Sequence, residues 1–409
     1  MILKADIEKA YHEQQKMLKS DTSEVPRGFM KAYTPDAKHI EVITGIRRCG
    51  KSTIMKQIIR RHFRKPAFFN FEDARIFGFD IQDFPKLDSV MPHNADAYCF
   101  DEIQNVEAWE TYIRQLHDRG AKIFITGSNA SLLSRELGTR LTGRHLRHAM
   151  FPFSFPEFLK FRKLKKSVSS FDQYLNSGGF PEYLLTENPE VLQMQLRDIV
   201  LRDIAIRHNI RNTKSLMEVT LFLLSNIGKE YSYNGLRKNF GMGSANTASD
   251  YVSWLEDSYL LFFLPRFSWS AKNTVVNPRK VYAIDTGMVN ANTLSFMEDK
   301  GRLLENIVYL YLRQQPYTLY YYREQKECDF VVFEKRKCRF LIQVCWEINS
   351  DTLTRETEGL LEAMQYFKLQ TGFIITHNQR DTLHIQDKIL HLIPAYDFIS
   401  GQKGLGSIV

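Results

Sequence analysis

The sequence predicts an α/β protein of several domains, and three observations support that prediction. A short apolar strand runs into a glycine-containing loop and then into an amphipathic helix between 39 and 63. A second apolar strand, 98–100, ends in the carboxylates Asp101 and Glu102. Farther along, strand-like stretches alternate with helices between 303 and 376. At 409 residues the chain exceeds the size at which one hydrophobic core usually divides, so we expect two or more domains.

Composition narrows the class of protein. Hydrophobic residues make up 44% and charged residues 25% of the chain, the usual balance of a soluble globular protein. We find no apolar run near the roughly eighteen residues that a membrane helix needs, and the charged start is atypical of a secretory signal. The 5 cysteines form no CxxC pair, which favours reduced thiols over disulfides or zinc. We therefore expect a cytoplasmic protein with no membrane partner.

The net charge of +8 bears on the kind of partner that the protein binds. Basic clusters lie at 60–65, 161–167 and 334–339. Such clusters suit a phosphate-bearing partner, and they equally suit faces that are simply solvated. Nucleic acid therefore stays an open partner at this stage.

The loop after the first strand matches the pattern GxxxxGK[ST]. The strand 41–44 precedes it and a helix with apolar residues at helical spacing follows, which is the context that this motif requires. Its glycines allow backbone angles that turn N–H groups toward phosphate oxygens, and the helix start adds partial positive charge. We expect Lys51 to reach the β- and γ-phosphates, Ser52 to bind Mg²⁺, and Thr53 to donate to the α-phosphate. The predicted nucleotide-binding residues are Gly45, Ile46, Arg47, Arg48, Cys49, Gly50, Lys51, Ser52 and Thr53.

Two neighbouring strand ends carry candidate catalytic groups. Asp101 fits the acid that holds Mg²⁺, and Glu102 fits the base that orients and deprotonates the attacking water. The stretch 121–129 ends in the polar cluster Thr126, Ser128 and Asn129, and a neutral polar side chain there would lie between the γ-phosphate and that water. Ligands bind at the carboxyl ends of strands in open α/β sheets, although turn chemistry also explains this sequence.

The loop 138–144 carries two arginines, Arg140 and Arg144. In oligomeric ATPases an arginine at this place can reach the γ-phosphate of a neighbouring subunit and stabilise charge in the transition state. A surface arginine is the alternative interpretation.

The order of these motifs resembles a large prokaryotic group of AAA+-type ATP-binding proteins. The resemblance rests on the phosphate loop, CFDE (99–102), ITGSN (125–129), RLTGR (140–144) and FPFSFPEF (151–158), and continues to ECDFVV (327–332). Such proteins carry a C-terminal domain of unknown function with a restriction-endonuclease-like portion. The resemblance implies ATP and Mg²⁺ as ligands, with Lys51, Ser52 and Asp101 holding them and Glu102 as the base. It also implies Arg140 or Arg144 as the arginine finger.

The chain then divides into five predicted segments. Between 213 and 292, three helices joined by glycine-containing turns and followed by two strands suggest a winged helix. The start of the third helix carries no Arg or Lys, so a protein or interdomain contact is slightly favoured over DNA reading. Lys272, Arg279 and Lys280 in the wing would still add positive charge. The segments are 1–35, an N-terminal helical extension; 36–160, a P-loop ATPase core; 161–212, a helical lid or connector; 213–292, the winged helix; and 293–409, a nuclease-like domain.

The last segment fits a PD-(D/E)xK nuclease-like fold with a degenerate site. Such a site needs carboxylates that hold Mg²⁺ and a lysine that positions water. Glu305 and Asp329 match two carboxylates, but Gln343 and Cys345 stand where the remaining acid and the lysine are expected. Alternation along a strand would put Gln343, Cys345 and Glu347 on one face, with Glu347 as a late substitute. We expect the fold to be retained and cleavage to be lost.

These observations predict hydrolysis of Mg·ATP coupled to a change in domain arrangement. Two alternatives stay open: a nucleotide-gated switch, scaffold or DNA-binding regulator with little turnover, and an ATP-dependent nuclease. The resemblance alone favours ATP over GTP. The sequence does not decide whether the protein forms a homo-oligomer or what its biological client is.

Overall fold

The computed structural model describes residues 2–19, 25–28, 33–36, 38–127, 141, 143–293 and 299–401. The chain divides into two compact units. Unit 1 comprises Met1–Phe151 with Asp257–Tyr259, and unit 2 comprises Pro152–Glu256 with Leu260–Val409. Both contain helices and strands, so the predicted α/β class is confirmed.

Unit 1 is built on a five-stranded sheet in the order β2-β3-β4-β1-β5. Every pairing in this sheet is parallel, so all five strands end at the same edge. The central strand β1 is buried along its whole length, whereas the edge strand β5 is half-exposed. The strands are β1 (Ile40–Gly45), β2 (Pro66–Asn70), β3 (Ala97–Asp101), β4 (Ile123–Gly127) and β5 (His145–Met150). The helices are α1 (Lys4–Lys19), α2 (Lys51–His62), α3 (Phe84–Val90) and α4 (Trp109–Asp118), with 3₁₀ turns at Ala74–Ile76, Ile81–Asp83 and Ile103–Asn105.

The N-terminal helix α1 packs beside the other edge strand, β2. Ile7 and Tyr11 belong to the same buried apolar cluster as Phe69 of β2. Gln14 accepts the N–H of Asn70 at 2.8 Å and donates to its carbonyl at 3.2 Å, so the end of β2 is paired by a side chain. Covering an edge strand in this way limits its pairing with other chains.

The first half of unit 2 is mainly helical. Its strands form a three-stranded antiparallel sheet in the order β6-β8-β7. The segment predicted as a helical lid or connector contains a π-helix, Ile199–Ile206, in which Ile199 and Ile204 are buried and Ile206 is exposed. The helices are α5 (Phe155–Arg162), α6 (Val168–Ser177), α7 (Pro181–Thr186), α8 (Glu190–Asp198), α9 (Thr213–Leu224), α10 (Tyr233–Asn239), α11 (Ala245–Asp257), α12 (Ala271–Val276) and α13 (Thr286–Asn292). The strands are β6 (Glu230–Tyr231), β7 (Leu261–Pro265) and β8 (Arg279–Ala283).

The second half of unit 2 is a six-stranded mixed sheet in the order β13-β14-β12-β11-β10-β9. The helices and strand-like stretches predicted between 303 and 376 are present, and two further strands follow them. One detail of the prediction is wrong: β11 ends at Val344, so Cys345 and Glu347 lie beyond the strand and alternation does not place them. The elements are α14 (Lys300–Arg313), β9 (Thr318–Arg323), β10 (Glu327–Glu334), β11 (Lys337–Val344), α15 (Leu353–Phe367), β12 (Thr371–Thr376), β13 (Asp381–Ile385), β14 (Lys388–Pro394) and α16 (Ala395–Phe398).

Close backbone contacts join α6, the loop after it and α13. A Cβ added to Gly179 would lie 2.1 Å from the carbonyl oxygen of Phe153, and one added to Gly287 would lie 2.1 Å from that of Ser177. Asp285 accepts the N–H of Gly179 at 2.6 Å and caps α13. Burial raises the pKa of Asp285 to about 7. These contacts require glycine at both positions, because no side chain would fit.

Within the described part of the chain, no helix combines the length and apolar character that crossing a bilayer requires.

Candidate functional site

The glycine loop joins β1 to α2 at the carboxyl edge of the parallel sheet. Gly45 has φ 150°, and a Cβ there would lie 2.3 Å from the carbonyl oxygen of Met150, so the backbones approach too closely for a side chain. Gly50 precedes α2 with φ 96°, a left-handed angle that glycine adopts readily. The N–H of Ile54 makes the first helical hydrogen bond, to the oxygen of Gly50 at 3.0 Å, and the amides of residues 51–53 lie ahead of it.

The ammonium group of Lys51 lies over this loop. Its side chain is only 4% exposed, and Nζ lies 3.7 Å from Oε1 of Glu102. Nζ also donates to the carbonyl oxygen of Ile46 at 3.3 Å. A buried ammonium is stable only beside a counter-charge, and here the carboxylate of Glu102 supplies it.

Asp101, at the end of β3, accepts hydrogen bonds from two hydroxyl groups. Ser52 Oγ donates to Asp101 Oδ1 at 3.0 Å, and Thr126 Oγ1 donates to the same oxygen. Burial raises the pKa of Asp101, and these two hydrogen bonds oppose that rise. Thr126 also accepts the N–H of Glu102 at 3.0 Å. Sequence reasoning named Thr126 only as part of a polar strand end, so its role in joining the two acids was missed.

Glu102 is held in a specific orientation just after β3. Its backbone is left-handed, with φ 52°, a conformation that is unfavourable for a residue with a side chain. Gln104 donates to its Oε2, while Lys51 lies beside its Oε1. Strain of this kind is concentrated at functional sites, where it fixes the direction of a side chain.

This arrangement fits a polyphosphate and a magnesium ion. The hydroxyl of Ser52 and the carboxylate of Asp101 are hard oxygen donors, which Mg²⁺ prefers. The amides at the start of α2 and the ammonium of Lys51 are suited to phosphate oxygens. The predicted metal and nucleotide residues that the structure describes are therefore brought together at one edge of the sheet.

Two other side chains of the loop make contacts of a different kind. Arg47 Nη1 lies 3.7 Å from Oε1 of Glu72. Cys49 is buried, and burial raises the pKa of its thiol, which disfavours the reactive thiolate.

Arg27 is a loop contact that sequence reasoning missed. Its guanidinium donates to the carbonyl oxygens of Cys49 at 2.9 Å and Phe151 at 2.6 Å. A single arginine in a polar segment gives no periodic signal that would have identified this contact.

Of the remaining predicted catalytic residues, the structure describes Arg144. Ser128, Asn129 and Arg140 lie outside the described residues. Arg144 precedes β5 and donates to Asp118 at 2.6 Å. In the register of the sheet the first residue of β5 lies beside the first residue of β1, which is the edge opposite the loop. Arg144 therefore does not join the site of its own sheet, and a role toward a neighbouring subunit stays a prediction.

The predicted nuclease-like position in unit 2 contains a buried lysine. Lys280 Nζ lies 3.0 Å from Glu305, 2.7 Å from Glu327 and 2.8 Å from Asp329. Burial alone would lower its pKa, but these carboxylates raise the pKa of Lys280 well above its ordinary value. The expectation that Lys280 supplies positive charge to the surface of a wing is wrong, because its side chain is only 2% exposed.

Gln343 and Cys345 hold structural hydrogen bonds beside this lysine. Gln343 accepts the N–H of Asp329 at 3.2 Å and donates to Glu356 at 3.0 Å. Cys345 Sγ donates to the carbonyl of Glu347 at 3.0 Å, and burial raises the pKa of its thiol to about 11. Among the described residues, no group of three or more His, Cys, Asp or Glu side chains is arranged to hold a metal ion. The residues here do not fit a divalent cation, because an ammonium lies among the acids.

Comparison with protein families divides the chain into three parts. The AAA domain matches residues 37–159. Two domains of unknown function, DUF8612 and DUF4143, match residues 168–299 and 300–398.

Relatives match over most of their length. An uncharacterized protein of Methanocaldococcus jannaschii is 36% identical over 388 residues, which cover 87% of each chain. An uncharacterized protein of Haemophilus influenzae is 31% identical over 379 residues, which cover 86% of this chain and 93% of that protein. A second M. jannaschii protein is 23% identical over 414 residues, covering 87% of this chain and 84% of its own length.

Two solved structures have weaker similarity. A Walker-type ATPase of Pyrococcus abyssi is 13% identical with a TM-score of 0.39, covering 72% of this chain and 96% of its own. A mutant of RuvB from Thermotoga maritima is 17% identical with a TM-score of 0.32, and the match covers 65% of this chain and 91% of the RuvB chain. At these TM-scores neither structure supports an argument about this protein.

Proposed function

The chain belongs to the family of the M. jannaschii and H. influenzae proteins described above, and from its AAA domain and site geometry we propose that it binds and hydrolyses Mg·ATP. The observation that carries this proposal is the 3.0 Å hydrogen bond from Ser52 to Asp101, with the ammonium of Lys51 and the carboxylate of Glu102 beside it. Phosphoryl transfer to water requires a metal site, a cation for the phosphates and a base for the water. The hydroxyl, the ammonium and the two carboxylates meet these requirements at one edge of the sheet.

In this proposal the glycine loop binds the substrate's phosphates. The amides of residues 51–53 and the ammonium of Lys51 contact phosphate oxygens, while Ser52 and Asp101 hold Mg²⁺. When bound, Mg²⁺ neutralises charge that develops on the phosphate oxygens. Thr126 keeps Asp101 in place through its hydrogen bond.

Glu102 acts as the general base. Its N–H is fixed by Thr126 at 3.0 Å and its carboxylate is oriented by Gln104. Lys51 lies 3.7 Å from that carboxylate, and we expect the ammonium to pair with phosphate once ATP binds, since phosphate carries more charge. The carboxylate is then available to accept a proton from the attacking water.

Steady-state phosphate release by the full chain tests this proposal. Glu102→Gln should abolish turnover while ATP affinity is kept, because the amide keeps the shape of the side chain but cannot accept the proton. Glu107→Gln is the matched control, since Glu107 is exposed, and it should turn over like the wild type. Unchanged turnover in Glu102→Gln, alongside an active wild type, would overturn the role of Glu102.

A nucleotide-gated switch with little turnover is the second candidate. The observation that favours it is that both carboxylate oxygens of Glu102 are engaged, one beside Lys51 and the other by Gln104. A switch would bind ATP, release no phosphate above background, and show no effect of Glu102→Gln on turnover.

For the rest of the chain we retain the predicted arrangement of domains. The three helices α9–α11 with the sheet β6-β8-β7 support a winged helix, and the element order of 293–409 supports a nuclease-like fold. We expect this fold not to cleave, because Gln343 and Cys345 replace the expected acid and lysine. ATP turnover would drive a change in how these domains or a partner are arranged.

Because Lys280 is buried, only Lys272 and Arg279 remain to give the wing surface positive charge. DNA binding depends on such charge, so a contact with protein is favoured over one with DNA. A mobility shift that weakens with salt would instead support DNA, and plasmid cleavage lost in Asp329→Ala would support a nuclease.

A further inference from the structure

Three carboxylates from two elements converge on one buried ammonium in unit 2. Glu305 lies on α14, Glu327 and Asp329 lie on β10, and Lys280 reaches them from β8. The Nζ atom is 2.7–3.0 Å from one oxygen of each acid. We propose that the ammonium of Lys280 is a built-in cation that holds these three carboxylates in the place a divalent metal would take, so that the cluster binds no metal of its own.

The hydrogen-bonding capacity of the groups supports this proposal. An ammonium has three donors, which equals the number of acids around it. Each acid has an additional favourable contact: Tyr282 donates to Glu305 at 2.6 Å, the N–H of Val344 donates to Asp329 at 2.9 Å, and Arg323 lies 3.7 Å from Glu327. The cluster is thus a complete ionic site with Lys280 at its centre.

The neutral residue at 343 fits the same interpretation. Gln343 accepts the N–H of Asp329 at 3.2 Å, so it lies directly beside the cluster. A glutamate there would add a fourth negative charge near a single ammonium, and its carboxylate could not donate to Glu356 as the amide does at 3.0 Å. The neutral amide at 343 therefore avoids a further negative charge beside the three acids and their single ammonium.

A lysine and a metal cannot share this space. Mg²⁺ binds carboxylate oxygens at about 2.0–2.1 Å, which is nearer to them than the ammonium lies. Removing the lysine side chain would leave three acids around a vacant position, and a divalent cation can then supply the missing charge. The acids should draw in around that cation, since two of the three are on one strand and the third is on the adjoining helix.

Titration of the nucleotide-free full chain with Mn²⁺, following the signal of free Mn²⁺ by electron paramagnetic resonance, tests the proposal. In the wild type and in Lys280→Arg, adding Asp329→Asn should leave Mn²⁺ binding unchanged, because no Mn²⁺ is bound at this cluster. Lys280→Ala should gain one site per chain, at least about tenfold tighter than any wild-type binding, and Lys280→Ala with Asp329→Asn should lose it again. Lys272→Ala, which removes an exposed lysine, should behave as the wild type.

Two results would overturn the proposal. One is stoichiometric Mn²⁺ binding by the wild type that Asp329→Asn abolishes. The other is a folded Lys280→Ala chain that binds no Mn²⁺. If Lys280→Ala fails to fold without metal, refolding in Mn²⁺ should restore its circular dichroism, and failure to restore it would also count against a cation site. None of these results depends on ATP binding.

Discussion

The hydroxyl of Ser52 donates to Oδ1 of Asp101 at 3.0 Å, which joins the start of α2 to the end of β3. The two residues are distant in sequence, and only the parallel order of the sheet brings them together. Their oxygens define the position at which we expect Mg²⁺.

Ser52→Ala should therefore weaken the dependence of ATP binding on Mg²⁺. We expect ATP affinity in excess Mg²⁺ to fall about tenfold, or about 1.4 kcal/mol, because one metal ligand is lost. Affinity in the presence of a chelator should not change. Fluorescent-nucleotide titration with and without Mg²⁺ measures both values, and Ser89→Ala, an exposed serine, is the control. Equal Mg²⁺ dependence in Ser52→Ala and wild type would exclude Ser52 as a ligand.

Lys280→Met should strongly reduce the free energy of unfolding of the chain. Removing one partner of a buried ionic group costs about 3–5 kcal/mol because the remaining charges are uncompensated. Adding Asp329→Asn should recover part of this loss, since one of those charges is then removed. Urea denaturation followed by circular dichroism measures the difference, with Lys272→Met as the control. A loss no greater than that of the control would contradict the buried cluster.

Gly179→Ala should also destabilise the chain, for a steric reason. The new Cβ would lie 2.1 Å from the carbonyl oxygen of Phe153, so the backbones must separate. Overpacking of this kind costs about 1–3 kcal/mol. Gly243→Ala is the matched control, because a Cβ there meets no heavy atom within 4 Å. Equal unfolding midpoints for the two variants would show that the close approach is absent in solution.

Glu41 should make the stability of unit 1 depend on acid pH. Burial alone would raise its pKa, but hydrogen bonds from His148 at 2.6 Å, the N–H of Asp36 at 2.7 Å and Lys122 at 3.0 Å lower the pKa of Glu41 below its ordinary value. A pKa that is lower in the folded state means that ionised Glu41 stabilises the fold above the unfolded value. This contribution disappears as pH falls through the folded pKa.

Glu41→Gln should consequently be less stable than the wild type at pH 7, by about 1.5–3 kcal/mol if the hydrogen bonds to the charged group are lost. The difference between the two proteins should shrink below about pH 4. Unfolding at a series of pH values measures it. A difference that stays constant down to pH 3 would mean that the charge of Glu41 does not contribute.

The grouping of the residues at the candidate nucleotide site was largely predictable from sequence, whereas the lysine cluster was not. The loop motif and the acids after β3 are local patterns, and parallel strands necessarily end at one edge, so Lys51, Ser52 and Asp101 could be grouped in advance. Lys280 is 25 positions from Glu305 and 49 from Asp329, and nothing in their local sequence indicates that they meet. Close backbone approach at Gly179 is likewise a tertiary property that a single glycine does not reveal.

Isothermal calorimetry of Mg·ATP binding to the full chain tests the central claim most directly. The account predicts one site per chain, and Lys51→Ala should weaken binding about a hundredfold, or about 2.8 kcal/mol, because the only ammonium placed over the loop among the described residues is lost. Lys65→Ala, an exposed lysine, should bind as the wild type does. No measurable affinity for any nucleoside triphosphate, or equal affinity in Lys51→Ala and wild type, would contradict the account.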